Sequence, residues 1–150
     1  MKLLKLTGIF LLLALLIMPS CGDDDVMEDD DMMTDPIYKI TIMSPDESDK
    51  KVGDAIHIHV NFDEEQMTTV HHVNVRIYQK GNESNEIFNG PSVAHVHEES
   101  GHYELHADLT LDEATGVMEH TDWILEAKAW GHEAGLGEVM EALEFHVHPM

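Results

Sequence analysis

From Pro36 onward, apolar side chains recur at every second residue, and no stretch of this part of the chain carries a convincing helical period. A period of two belongs to a strand with one buried and one exposed face, so it commits the segment to sheets that pack on one another. Seven strands are predicted, over 37–43, 55–62, 73–78, 93–97, 103–111, 123–130 and 143–148, separated by clusters of Pro, Gly, Asn and Asp. Residues 138–144 could close a helical turn, but they run on into Phe145-His146-Val147-His148, which reads as strand.

Short strands at near-regular spacing over residues 36–150 predict an all-β fold, an antiparallel immunoglobulin-like β-sandwich of about seven strands. The chain has 1 Cys, so a disulfide framework is excluded and apolar burial must hold the domain, which is feasible at this size. Trp123 is expected in the core, whereas Trp130 falls on either face.

The N-terminal region reads as an address. Lys2 and Lys5 precede an unbroken apolar run, Gly8 to Ile17, followed by Pro19-Ser20-Cys21 at the distance of a processing site. The run is too short to span a bilayer comfortably. Leu16-Ile17-Met18-Pro19-Ser20-Cys21 resembles the lipobox of bacterial lipoproteins, with Met18 and Pro19 departing from the commonest pattern. Gly22-Asp23-Asp24-Asp25 resembles the acidic run after the acylated Cys in surface lipoproteins of the Bacteroidota. The resemblance implies a signal peptide over 1–20, lipidation of Cys21, and an outer-membrane anchor facing the periplasm or the cell surface. Stable anchoring would take two or three acyl chains.

Residues 21–35 include seven Asp and read as a disordered, self-repelling tether that holds the domain off the membrane. Met27, Met32 and Met33 lie within it and are taken as unstructured chain rather than a Cu(I) site. Charge narrows the partners further. With 30 acidic and 8 basic residues the formal charge is −22, which excludes nucleic-acid recognition through a basic patch.

The chain also carries 12 His, and alternation assigns their faces. If Ile56, Ile58, Val60 and Phe62 point inward, His57 and His59 point out. Inward Tyr103, Leu105, Ala107 and Leu109 leave His102, Glu104, His106 and Asp108 outside. By the same logic Leu143, Phe145 and Val147 leave His146 and His148 out, and Ala94 and Val96 leave His95 and His97 out. Glu98-Glu99-Ser100-Gly101 has the length of a hairpin loop, which would pair His97 with His102 and His95 with Glu104. An immunoglobulin-like strand order would bring His57 and His59 onto the same face. The expected result is a six-histidine surface.

Imidazoles with a carboxylate suit a late transition metal such as zinc or copper. His95, His97, His102 and His106 are the expected ligands, His57 and His59 reinforcements, and Glu104 a ligand or an acceptor orienting an imidazole. A further group is expected where the loop of His71 and His72 meets that of His132 and Glu133. No nucleophile beside a base, phosphate loop or zincin motif is present, and Gly131, Gly135 and Gly137 read as a turn, so an enzyme is not expected. Asn82-Glu83-Ser84 fits a glycosylation sequon in an exposed loop. The functional reading is a lipid-anchored, extracytoplasmic metal-binding module. The alternative is a surface domain for a protein or glycan partner, its histidines incidental. Protonation of all the imidazoles would also take the mature charge from −24 to −12, so a pH-tuned surface is a third reading.

Overall fold

The computed structural model describes residues 35–150. The chain divides into two units, Met1–Met32 and Met33–Met150, and the description concerns the second. The expected export signal, Cys21 and the expected tether up to Thr34 lie outside the described residues.

Nine strands run in order: β1 Tyr38–Ser44, β2 Lys50–Lys51, β3 Ala55–Glu64, β4 Val70–Gln79, β5 Asn82–Gly90, β6 His95–Glu98, β7 His102–Thr110, β8 Thr121–Trp130 and β9 Val139–His148. One sheet has the order β1-β3-β7; the other has β2-β9-β8-β4-β5, with β6 also on β4. All pairings are antiparallel except β2 with β9. This is the immunoglobulin-like sandwich that the period of two implies. No helix among the described residues is long and apolar enough to cross a membrane.

The core draws on both sheets. Val60 and Phe62 of β3 meet a cluster that includes Val75 and Ile77 of β4, Trp123 and Leu125 of β8, and Phe145 of β9, all essentially inaccessible to water. Each such side chain contributes roughly 1.5–3 kcal/mol on burial. Trp123 takes its expected place, and its Nε1–H donates to Thr121 Oγ1 at 2.8 Å, so the indole is buried without an orphaned donor. Along β3 the burial alternates without a break, with Ile56, Ile58, Val60 and Phe62 inside and the intervening side chains more exposed.

Three expectations need correction. The segment 98–101 does not close a hairpin. β6 pairs with β4, His72 standing opposite His95, while β7 pairs with β3 in the other sheet, so 99–101 crosses between sheets. Gly101 shows why the crossing is tight. It sits at φ +73°, its carbonyl accepts from Glu64 N–H at 2.8 Å, and a Cβ there would lie 2.8 Å from the Met67 backbone. Only glycine fits so close an approach at that dihedral.

Second, Asn82-Glu83-Ser84 opens a strand, β5, rather than lying in a loop. β5 is an edge strand with solvent on its free side, which is why its sequence lacks alternation. β6 continues along the same edge of β4, bridged by Val73 N–H to the Ala94 carbonyl at 2.9 Å. Third, His71 and His72 belong to β4, not to a loop, and β4 runs from Val70.

At the other crossover, between β3 and β4, Glu64 is the one charged residue among the described ones that is fully buried. Its carboxylate accepts from the backbone N–H of Ile37 (3.2 Å), Gln66 (3.0 Å) and Thr68 (2.9 Å), and from the Thr68 hydroxyl (2.8 Å). Burial pushes its pKa up, but these donors outweigh burial and hold it below the ordinary carboxylate value. Glu64 thereby ties the chain leading into β1 and the β3–β4 loop to the end of β3.

Candidate metal centres

All twelve histidines lie on three separate parts of the domain. In three sets, His59/Glu104/His106, His71/His95/His97 and His120/His146/His148, each residue offers a ligand atom within 4.8 Å of the others.

The first set lies on the outward face of β3 and β7. Antiparallel register places His57 opposite Asp108, His59 opposite His106, Asn61 opposite Glu104 and Asp63 opposite His102. Apart from Ala55 at its start, the outward positions of this ladder are polar, as period-two alternation with the other face in the core favours. His102 has both ring nitrogens on carboxylates, Nδ1 at 2.6 Å from Asp63 Oδ1 and Nε2 at 3.0 Å from Glu104 Oε1. Asp63, and then Glu104, hold its pKa above the ordinary histidine value. The reverse holds for Glu104: hydrogen bonds from His102 and His106 bring its carboxyl down to about 2.

The hydrogen bonds on this face connect Asp108, His57, His106 and Glu104 in a chain. His57 Nδ1–H donates to Asp108 Oδ1 at 2.8 Å, because the carboxylate can only accept. A neutral His57 then accepts at Nε2 from His106 Nδ1–H, 3.3 Å away. The lone pair of a neutral His106 is left on Nε2, which lies 3.1 Å from Glu104 Oε2. Two acceptors at that separation need a proton or a cation between them. His59 stacks on His106 with ring centroids 4.1 Å apart, and its Nε2 stands 4.0 Å from Glu104 Oε2. That nitrogen and Asn61 Oδ1 are both buried and have no hydrogen-bond partner.

The second set gathers at the end of the other sheet where β4 begins and β8 ends. His71 and His72 come from β4, His95 and His97 from β6, and His132 from the β8–β9 turn, next to Gly131. Ring centroids place His71 5.3 Å from His97 and 5.5 Å from His132, and His72 4.6 Å from His95. His72 also stacks on Trp130 at 5.1 Å, and its Nδ1–H donates to the Gly131 carbonyl at 2.8 Å. Burial, followed by the charges that His97, His132, His72 and His95 would carry, holds His71 below the ordinary histidine pKa. Desolvation and the neighbouring imidazoles also lower His95.

The third set lies at the opposite end of β8 and β9. His146 Nδ1 is 2.7 Å from Asp122 Oδ1, His148 Nε2 is 3.0 Å from Asp49 Oδ2, and their ring centroids are 4.6 Å apart. His120, at φ +60° just before β8, completes it.

The structure thus brings His57, His59, His102, Glu104 and His106 onto one face. It separates His95 and His97 from them, because β6 belongs to the other sheet. Of the expected meeting of His71 and His72 with His132 and Glu133, the contact of His71 with His132 is formed, and His95 and His97 join it. Asn61, Asp63 and His120 are additions that sequence reasoning missed. Asn61 and Asp63 share the parity of His57 and His59 and were legible on that ground; His120 carries no local signal.

No protein-family model and no curated protein matches this sequence. Solved structures do resemble the fold. A crystal structure of the CARDB domain of a Pyrococcus furiosus protein, in complex with di-metal ions, superposes with a TM-score of 0.50 at 14% identity, over 77% of this chain and 96% of that one. The solution structure of that domain gives 0.46 at 15% identity, over 76% and 94%. A β-glucosidase from Listeria innocua matches at 0.42 and 10% identity, over 77% of this chain and 17% of the enzyme. At such identities the likeness to the CARDB crystal structure supports the sandwich fold alone.

Proposed function

We propose that this protein is a lipid-anchored, extracytoplasmic metal-binding module, holding zinc or copper on the β3–β7 face as a buffer, chaperone or uptake accessory. The observation that carries the reading is the pair of buried polar atoms without a hydrogen-bond partner, His59 Nε2 and Asn61 Oδ1, beside Glu104 and His106. Buried polar atoms of native proteins are almost always satisfied, so two together mark a place where a ligand belongs. His59, Glu104 and His106 are the ligands, and Asn61, opposite Glu104 in the register, is the adjacent neutral oxygen.

Ligands about 2.0–2.1 Å from a tetrahedral ion lie about 3.3 Å apart. The observed separations from Glu104 Oε2, 3.1 Å to His106 and 4.0 Å to His59, bracket that value. A cation would replace the proton between His106 and Glu104, while Asp108, acting through His57, would hold the His106 ring with its Nε2 directed at Glu104. The CARDB domain was solved in complex with di-metal ions, which is compatible with metal binding on such a sandwich. The strongly acidic chain would concentrate dications around the site. The lipobox-like approach to Cys21 supports the anchor. Glu104 has an imidazole on each oxygen rather than standing free as a base, which favours binding over catalysis.

Calorimetric titration of the metal-stripped protein with Zn(II) and Cu(II) tests the reading. Replacing His59→Ala/His106→Ala should weaken binding at this face by about 100-fold or more, beyond the 10–100-fold typical of losing an outer-shell partner. Unchanged affinity and stoichiometry in that variant would overturn it.

A further inference from the structure

The second histidine set offers donors of a different kind. We propose that His71, His95 and His97, reinforced by His72 and His132, form an additional, all-imidazole site for a late first-row dication, taking Cu(II) most tightly. The site goes beyond the β3–β7 reading, because it shares no residue with that face and belongs to the other sheet.

Three independent observations carry it. His71 Nδ1 is buried and has no hydrogen-bond partner, although four other imidazoles surround its ring. Burying an imidazole nitrogen without a partner is unfavourable, and an ion shared with its neighbours removes that cost.

The backbone of β6 is shaped around the group. Val70 pairs with Glu98 and His72 with His95, so Val96 and His97 together face the single residue His71. Such a bulge re-aims side chains and is enriched beside functional sites. Within it His97 adopts φ +49°, a left-handed conformation that Gly or Asn would take more readily. A residue other than glycine is uncommon in that conformation.

The rings are also pre-set. His72 is held between Trp130 and His95, and its Nδ1–H is engaged by the Gly131 carbonyl, so a neutral His72 presents Nε2 as the acceptor. An outer-shell carbonyl fixing the tautomer in this way is the usual companion of a metal-binding histidine.

Donor chemistry selects the ligand class. Among the ion pairs of the described residues, one touches this group, that of His97 with Glu99 at 3.7 Å. Mg(II) and Ca(II) demand oxygen ligands and gain nothing here. Neutral imidazoles suit Zn(II), Ni(II) and Cu(II), and at a site that imposes no other preference affinity follows the order that peaks at Cu(II). The β3–β7 face, by contrast, supplies an anionic oxygen from Glu104.

The experiment is a Cu(II) titration of the full-length, metal-stripped protein followed by electron paramagnetic resonance. The parent should give a component with hyperfine structure from three or more equivalent nitrogens. A His95→Ala/His97→Gly variant alters exposed side chains and relieves the left-handed dihedral, and its melting curve reports folding. It should bind one equivalent fewer and lose the nitrogen-rich component, whereas His59→Ala/His106→Ala should keep that component. A folded His95→Ala/His97→Gly protein with the parent's stoichiometry and spectrum would overturn the site. A His59→Ala/His106→Ala protein with undiminished stoichiometry would instead overturn the β3–β7 reading while leaving this one intact, so the two failures are distinguishable.

Discussion

The β3–β7 face and the β4–β6 group contain the same residue type in opposite electrostatic company. On the first, Asp63, Glu104 and Asp108 stand against His102, His106 and His57, and the imidazoles act mainly as hydrogen-bond donors. In the second, imidazole faces imidazole, so protonating one ring disfavours protonating the next. The pKa directions follow: His102 is raised by its carboxylates, and His71 is lowered by burial and by other histidines. A histidine count therefore says little about chemistry until the partners are known. Hydrogen-bonded acids supply an anionic ligand and a relay that fixes tautomers, whereas a cluster nearly without them supplies imidazole nitrogens alone.

The largest effect expected comes from breaking the scaffold that keeps the two regions apart. Glu64 accepts four hydrogen bonds at the β3–β4 crossover, between the strand that carries His57 and His59 and the strand that carries His71 and His72. Glu64→Ala leaves those donors without their acceptor and should cost about 3 kcal/mol of stability, read as a lower urea midpoint. An unchanged midpoint would show that the crossover does not depend on the carboxylate.

A smaller change sharpens the contrast. Asp108→Ala removes the far end of the relay through His57 to His106, and should weaken metal binding on the β3–β7 face by about 10-fold while leaving the β4–β6 group untouched. Calorimetry on the two groups separately, in the background of the His95→Ala/His97→Gly variant and without it, measures both numbers. Equal weakening at both would sink the idea that they are independent.

The smallest effect is a pair of opposed pH dependences in the metal-free protein. His102 has a raised folded pKa, so its contribution to stability is fully present below the ordinary value of 6.5 and is lost as pH rises through the folded value. His71 has a depressed folded pKa, so its contribution is present above 6.5 and is lost as pH falls through the folded value. Two-dimensional NMR of the ring protons should place the His102 midpoint above that of His71. The reverse order, or coincident midpoints, would remove the electrostatic distinction between the regions.

Side-chain faces were legible in the sequence because they depend on one strand at a time. Ile58, Val60 and Phe62 go inward and His57 and His59 outward on parity alone, and the same rule exposed His102, Glu104 and His106. The placement of β3 beside β7, which unites those residues, followed from the immunoglobulin-like strand order. Asn82 to Gly90 hid its strand for the opposite reason: an edge with solvent on its free side imposes no strict alternation on its residues.

What the chain determined by itself is thus its period of two, its core residues and the outward parity of most of its histidines, all set by local backbone geometry and apolar burial. Which histidines meet was decided by tertiary structure. His95 and His97 lie only a few residues from His102, yet the tight passage of Gly101 against Met67 and the pairing of β6 with β4 send them to the other sheet. Strand pairing is a competition among distant hydrogen-bonding edges, and a three-residue connection carries no mark of whether it will turn back on its own sheet or cross to the next.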